Sequence, residues 1–222
     1  MITSQLRIER FSDHQVTEAV QDRALIPKRL SRFDRVQLRF GKPDRLQIVR
    51  ALRVVEGDEL RALGIDPYSI TEVEDNIQTY TGMNNMLRLL IGTTVSAGGT
   101  NYGNGNARLL VGNGNGSVPT ALITDTDLAA PTGATTRYCN ACDATYPNTP
   151  NGGNNSAAAI LTAQATVSSG NGNFAWNEWG MDSGGASGTG AASGLFNHKG
   201  VSLGTKSGGS WILQATFTQS SS

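Results

Sequence analysis

The first quarter of the chain contains two short stretches with strand-like hydrophobic patterns. Residues 35–40 alternate strictly, with Val36, Leu38 and Phe40 on one face and polar residues on the other, as in a half-buried β-strand. Residues 46–55 are apolar on both faces and rich in β-branched side chains, which favours a more central strand. Because turn-forming residues separate the two stretches, the sequence predicts a β-hairpin here.

Two short segments on either side of this hairpin have helical signals. Residues 12–20 fit a short helix with Ser12 as its N-cap. An alternative for the first 30 residues is an arm that becomes ordered only on a partner. Residues 58–64 fit one or two helical turns, with an aspartate as N-cap and a glycine as C-cap.

The strongest helical pattern covers residues 79–91. Six apolar residues recur there at spacings of three and four, which predicts an amphipathic helix. Acidic residues just before it suit the positive end of the helix dipole, and Gly92 follows as a stop signal. Gly82 lies inside the helix and lowers its intrinsic propensity.

Beyond residue 92, short apolar runs alternate with long loops rich in glycine and asparagine. Such closely spaced strands, separated by turn residues, are typical of an antiparallel sandwich. The sequence therefore predicts a mainly β protein: an antiparallel β-sandwich preceded by one amphipathic helix, with a smaller α+β part at the N-terminus. The strand candidates are residues 107–111, 160–167, 173–179, 194–197 and 210–218.

Composition changes along the chain near Gly92. Residues 1–92 hold 14 of the 18 Lys and Arg residues and 13 of the 18 Asp and Glu residues, whereas residues 93–222 hold 22 of the 27 glycines. We expect two parts: a charged N-terminal anchoring region with the hairpin (1–75), and a Gly/Asn-rich sandwich with helix 79–91 leading into it (76–222). The net charge is zero, which gives no general attraction to nucleic acid or to anionic membranes.

Large side chains are scarce in the C-terminal part, so the few aromatic residues there should form its core. Buried aromatic rings supply much apolar area per residue, and residues 174–180 are the densest aromatic stretch. Nothing in that stretch pairs a nucleophile with a base. The predicted core and structural residues are Phe174, Trp176, Glu178, Trp179, Trp211 and Phe217.

The two cysteines, Cys139 and Cys142, form a C-x-x-C motif. A zinc site would also need His14 and His198, which are far apart and lack ligand spacing. A redox pair would need a helix start beside a βαβ unit, and the pattern shows none. The first ten residues carry charges where a signal peptide would need its apolar core, so we expect assembly in the cytosol. The motif therefore indicates two reduced thiols in a loop or strand, since cytosolic proteins seldom form disulfides.

Other site-like motifs have equally plain interpretations. Glycine-rich residues 103–106 and 112–116 lack the lysine of a phosphate-binding loop and a following helix, so they indicate turns. Asp125 and Asp127 could bind calcium through their oxygen atoms, but aspartates that cap a turn explain them as well. The sequence thus predicts no metal and no cofactor.

Glu178 lies between two tryptophans, and two hypotheses apply to it. A glycosidase would need a second carboxylate at a defined separation. The favoured interpretation is structural: the carboxylate binds backbone N–H groups of a loop. Trp176 and Trp179 could stack on sugar rings, although core packing is the more common role of such residues.

Several segments together resemble exterior structural proteins of tailed phages, of the tail-collar, tail-fibre or head-decoration type. The helix with Gly-Met-Asn at 82–84 resembles the helical entry of that group, and Ala-x-x-x-Val-Gly at 107–112 resembles one of its strands. The resemblance spans roughly residues 70–222 and depends on the order of its segments. These are residues 74–92, 107–114, 124–128, 143–147, 173–180, 195–199, 203–206 and 211–218.

The resemblance implies a β-rich, homo-oligomeric and non-enzymatic protein, often a trimer. Its expected partners are other virion proteins, either the major capsid protein or tail proteins, with no nucleic acid and no membrane, and with a host-surface glycan as a further option. The expected location is the exterior of the virion, after assembly in the host cytoplasm. The chain lacks the repeat of a fibre shaft, which favours a head decoration protein or a short tail-fibre module. The alternative is a carbohydrate-binding module or adhesin with exposed tryptophans.

Overall fold

Two antiparallel sheets and a layer of short helices make up the computed structural model of the protein. The structure describes residues 2–40, 43–74, 77–90, 101–103, 105–149, 158–184 and 188–220. In chain order the strands are β1 (Ile2–Phe11), β2 (Ser69–Glu74), β3 (Ile77–Gln78), β4 (Ala107–Gly112), β5 (Arg137–Ala141), β6 (Ala158–Val167), β7 (Ala175–Ser183), β8 (Asn197–Thr205) and β9 (Ser210–Ser220). The α-helices are α1 (Asp13–Gln21), α2 (Arg32–Phe40), α3 (Arg45–Val54), α4 (Gly57–Ala62) and α5 (Tyr80–Leu90).

The four-stranded sheet has the order β2-β1-β9-β6. Strand β1 pairs over its whole length with β9, from Ile2 opposite Gln219 to Phe11 opposite Ser210, and β2 pairs with its other edge. Residues 2–11 are therefore part of the sheet and not a free arm. This sheet draws its strands from both sides of the predicted boundary at residues 75 and 76.

The five-stranded sheet has the order β3-β8-β7-β4-β5. Its register places Gly180 of β7 opposite His198 of β8 and Gly112 of β4 opposite Glu178 of β7. A β-bulge between Trp176 and Glu178 shifts the pairing of β7 with β8. Bulges redirect side chains, and Glu178, directly after this one, has a buried side chain.

The inner faces of the two sheets share one aromatic core, which confirms the predicted β-sandwich. Trp176 and Trp211 meet edge to face with ring centroids 4.7 Å apart, and Phe217 packs against Phe196 at 5.0 Å. Edge-to-face pairs of this kind add to the stabilisation from burial alone. All six predicted core and structural residues are buried; they are Phe174, Trp176, Glu178, Trp179, Trp211 and Phe217.

The predicted hairpin is wrong, because residues 35–40 and 46–55 belong to helices α2 and α3. Leu38 and Ala51 are buried apolar residues of these helices and pack in a second core with Ile212 of β9. Asp44 caps α3 in a reciprocal capping box with Gln47, a helix signal that the strand interpretation passed over. Six residues of alternation are too few to fix the period, so tertiary packing decided the structure.

The three predicted helices are confirmed, but the caps predicted for α4 are wrong. Its N-cap is Glu56 and its C-cap is Leu63, while Asp58 lies in its first turn and Gly64 follows the C-cap. Ser12 is the N-cap of α1, and its side chain accepts from the backbone of His14. The expected stop of α5 at Gly92 lies outside the described residues. The strand predicted at 194–197 instead begins at Asn197 and continues to Thr205, because glycines within β8 hid its strand pattern.

Candidate functional site

A buried glutamate–histidine–aspartate chain is the most site-like arrangement of ionisable groups in the described residues. His198 Nε2 lies 2.8 Å from Glu178 Oε2, and His198 Nδ1 lies 2.6 Å from Asp125 Oδ2. Glu178 and His198 are almost fully buried. Adjacent strands β7 and β8 position these two residues, while Asp125 comes from the long connection between β4 and β5.

Glu178 also binds backbone N–H groups of that connection, which confirms the structural role predicted for it. Ala130 N donates to Oε1 at 2.7 Å and Ala129 N donates to Oε2 at 2.9 Å. Gly114 N donates to Oε1 at 3.2 Å. One carboxylate thus fixes two turns of a loop that has little secondary structure of its own, since each bonded N–H would otherwise be buried without an acceptor.

The charge state of this chain follows from its contacts. Burial disfavours the carboxylate of Glu178, but hydrogen bonds from His198 and from the backbone of Ala129 and Ala130 outweigh that effect and lower its pKa. Burial likewise disfavours a charged His198, yet its hydrogen bonds to Glu178 and Asp125 raise its pKa above the usual value. Both carboxylates thus favour the charged form of the imidazole that lies between them.

This arrangement is ill suited to acid–base or nucleophilic catalysis. Both ring nitrogens of His198 are engaged by carboxylates, so neither is free to take a proton from a nucleophile. Among the described residues, no serine, threonine or cysteine side chain hydrogen-bonds to this imidazole. The chain is better described as a clamp, and we use the name loop clamp for Glu178, His198 and Asp125.

The two aspartates considered for calcium have protein partners instead. Asp125 accepts from Leu122 N at 2.7 Å in addition to its bond to His198, which supports the turn-capping interpretation. Nη1 of the buried Arg137 donates to Asp127 Oδ1 at 2.8 Å and to Asp127 Oδ2 at 2.9 Å. Within the described parts of the chain, no cluster of three or more acidic, histidine or cysteine residues is arranged to hold a metal ion.

Cys139 and Cys142 are both free and buried. Burial is the main reason that the pKa of each thiol rises to about 12. Because the thiolate is the reactive form of cysteine, thiols with such values are poor nucleophiles at neutral pH. The structure thus places both residues as the sequence predicted, as reduced thiols in and beside strand β5.

Lys206 and Asp143 also form buried polar contacts that sequence reasoning missed. Lys206 Nζ donates to Ser168 O at 2.9 Å and to Asn173 Oδ1 at 3.0 Å, and burial lowers its pKa to about 8. Asp143 accepts from Thr166 Oγ1 at 2.8 Å. No spacing in the sequence signals these pairs, since their members come together only through the register of distant strands.

The tryptophans are not available for sugar stacking. Trp176 and Trp179 have relative exposures of 0% and 1%, so neither indole has a free face. The prediction that a sugar would stack on exposed tryptophans is therefore wrong, because both indole rings fill the sandwich core. His198 was considered only as a zinc ligand; its pairing with Glu178 depends on the alignment of β7 with β8.

An open groove of about 440 Å³ lies between the end of β1, the start of β2 and the turn before β9. Its lining includes Tyr68, Asp13, Thr205, Ser207 and Trp211. The Tyr68 side chain is 63% exposed there. This groove combines an accessible aromatic ring with hydroxyl groups, and no pattern in the sequence predicted it.

Comparisons with known proteins place no relative beside this chain: no family model, no curated protein and no solved structure matches it. Among the described residues, no helix has the length and hydrophobicity needed to cross a membrane. The function of the chain must therefore be inferred from its own sequence and geometry.

Proposed function

We propose that this chain is a non-enzymatic structural protein of a tailed-phage particle. It would dock through its N-terminal region and face outward as a head decoration protein or a short tail-fibre module. The observation that carries the proposal is the loop clamp. In the most catalytic-looking constellation of the described residues, Glu178 and His198 are buried, and its hydrogen bonds are used to hold a long loop.

Fixed loops over a rigid sandwich are what a displayed building block requires. A loop held by buried charge-assisted hydrogen bonds keeps one shape without a bound ligand. The sequence resemblance to phage exterior proteins gives the class of particle, and the small size of the chain favours head decoration. The proposal includes assembly as a homo-oligomer, of which a trimer is the form that the resemblance implies, on the major capsid protein or on tail proteins.

Quantitative mass spectrometry and cryo-microscopy of purified particles test this proposal. Hundreds of copies per particle are expected for a head decoration protein, and about a dozen or fewer for a tail module, because symmetry sets copy number. Absence of the chain from purified particles would overturn the proposal. So would catalytic turnover by the purified chain that Glu178→Gln abolishes.

A second candidate function, binding of a carbohydrate, is favoured by the groove at Tyr68. An exposed aromatic ring can pack against the apolar face of a sugar while neighbouring hydroxyls bind its polar edge. A glycan array with the purified chain, followed by titration of any hit, tests it. Binding should be lost in Tyr68→Ala and kept in Tyr80→Ala, since Tyr80 is a similarly exposed tyrosine outside the groove. Equal binding by both variants would contradict this second function.

A further inference from the structure

Positive charge is concentrated in one segment of this neutral chain. Residues 28–53 contain nine Lys and Arg residues and two Asp residues, a local net charge of +7, while the whole chain has a net charge of zero. Helices α2 and α3 occupy most of this segment. The net charge of the chain conceals this concentration, and the segment had been assigned to strands.

The structure leaves this positive charge on the surface. Of the two aspartates, Asp34 is buried and Asp44 is used in the capping box of α3. Of the cations in this segment that the structure describes, two form ion pairs: Arg29 with Glu56, and Arg50 with Asp34. The exposed cations of the segment are Lys28, Arg29, Arg32, Arg35, Arg39, Arg45, Arg50 and Arg53.

Large apolar side chains stand among these cations. Phe33 is 69% exposed, the highest value among the large apolar residues described, and Val36 and Leu46 are 48% and 57% exposed. Phe33 and Val36 are three residues apart on α2 and so share one side of it. We call Phe33, Val36, Leu46 and the exposed cations around them the helical face.

The two helices of this face are held together as one surface. The ion pair between Arg50 of α3 and Asp34 of α2 spans 3.1 Å, and Leu46 lies one turn before Arg50 on α3. The buried residues Leu38 and Ala51 anchor the opposite side of the helices to the core. Both helices are thus anchored to the same core, and no described part of the chain covers the face.

We propose that the helical face is the docking surface of this chain and that its occupant is an acidic protein surface with an apolar centre. This inference rests on the proposed function and names the residues through which the N-terminal region would dock. Complementary charge steers two proteins together and fixes their register, and a local charge of +7 selects a negative partner. Seven of the eight exposed cations are arginines, and interfaces favour arginine over lysine.

The apolar residues are what favour a protein over other anionic partners. Contacts to nucleic acid phosphates come from cations and polar groups, and such binding would leave Phe33 and Leu46 in water. Insertion into an anionic membrane needs a continuous apolar helix face. On α2, however, the apolar positions are divided, because Leu38 faces the protein core while Phe33 and Val36 face solvent.

Add-back to particles tests the docking surface. Particles produced without this chain are incubated with the purified full-length protein, and bound copies are counted across a concentration series. Arg32→Glu combined with Arg35→Glu should weaken binding at least about 100-fold, since it replaces attraction by repulsion. Phe33→Ala should weaken it about tenfold, as expected for loss of a central apolar anchor.

Matched controls separate a surface effect from a general one. A single Arg35→Glu variant is compared with Lys199→Glu, which makes the same charge reversal on β8. The affinity of Lys199→Glu for particles should stay within about twofold of that of the unmodified chain. Circular dichroism of every variant checks folding. Leu46→Ala provides a second apolar test if Phe33→Ala proves unstable.

Each result decides between the alternatives. Equal binding of the unmodified chain, the double arginine variant and Phe33→Ala would overturn the docking surface while leaving the particle proposal intact. No binding and no presence of the unmodified chain on particles would overturn both. A 30-base-pair DNA duplex and vesicles containing phosphatidylserine are the remaining arms. Tighter binding to either probe than to particles would overturn the choice of a protein partner.

Discussion

Charged side chains have opposite surroundings in the sandwich and in the helical face. In the sandwich, Glu178, His198 and Lys206 are buried, and each has at least two hydrogen-bond contacts. On the helical face, Arg32 and Arg35 are exposed and have no carboxylate partner among the described residues. Buried charges of the first kind stabilise the fold only while their partners remain, whereas exposed charges of the second kind contribute little to it.

This difference separates residues that maintain shape from residues available to a partner. A buried ion that loses its partner is costly, so the loop clamp must persist in the folded protein whatever the protein binds. Exposed arginines are not constrained in this way, and their clustering has no explanation in the stability of the chain. The buried ion pairs thus hold the shape of the sandwich, and the exposed cations support the proposal that the helical face docks on a partner.

The largest effect should come from Glu178→Ala, which removes the centre of the loop clamp. It would leave His198 charged and buried beside one carboxylate, and the N–H groups of Ala129 and Ala130 without their acceptor. We expect the free energy of unfolding to fall by about 3–5 kcal/mol, measured by urea denaturation. Glu74→Ala, at an exposed carboxylate of β2, is the control and should cost under about 0.5 kcal/mol. A loss that small for Glu178→Ala would show that the clamp is dispensable.

Gly82→Ala should have the next largest effect on stability. This effect should be a loss of stability, opposite to what helix propensity alone predicts. Alanine in a helix interior is favoured over glycine by about 1 kcal/mol. Here, however, an added Cβ would collide with the backbone of Phe196, so we expect a net destabilisation of about 1–3 kcal/mol by thermal or chemical denaturation. Asn84→Ala, at an exposed position of the same helix, should be neutral or slightly stabilising. A more stable Gly82→Ala would mean that α5 does not dock closely on the sandwich.

The contribution of His198 should depend on pH. Because its folded-state pKa is raised, its stabilisation is complete below the ordinary histidine pKa and is lost as pH rises through the higher folded value. Glu178, with a lowered pKa, contributes above the ordinary glutamate pKa and loses its contribution only as pH falls through the folded value. The difference in unfolding free energy between the unmodified chain and His198→Gln should therefore be larger at pH 6 than at pH 9.

The lowered pKa of Lys206 has the opposite effect, because it makes stability rise between about pH 8 and the ordinary lysine range. Lys206 is present in both proteins, so its effect cancels when the unfolding free energy of His198→Gln is subtracted from that of the unmodified chain. His14→Gln, at the exposed histidine of α1, provides the matched comparison and should show a smaller change with pH. An equal difference at both pH values for His198→Gln would argue against a charged imidazole in the clamp.

The smallest effect on stability is expected for Arg35→Ala on the helical face. An exposed arginine without an ion-pair partner should change the free energy of unfolding by less than about 0.5 kcal/mol, measured by the same urea titration as Glu178→Ala. A larger loss would mean that the exposed arginines support the fold, and the contrast between the two regions would fail.

The sequence by itself determined the features that depend on local chemistry and on composition. The capped start of α1 and the periodicity of α5 identified these helices, and α4 was located although its predicted caps were wrong. The scarcity of large side chains after residue 92 directed the aromatic residues to the core. Alternation between glycine-rich turns and short apolar runs gave the sandwich. The backbone-binding role of Glu178 was also predicted, because a lone carboxylate between aromatic residues needs partners when it is buried.

Only the tertiary structure decided what depends on distant contacts. Residues 35–40 carry a pattern that fits a strand as well as a helix, and packing of Leu38 and Ala51 against Ile212 selected the helix. The pairing of β7 with β8 brings His198 to Glu178, and no spacing rule relates residues 20 positions apart on separate strands. The helical face appeared only once α2 existed, because a strand would have placed Val36 on the same side as the buried Leu38, whereas the helix places it beside the exposed Phe33.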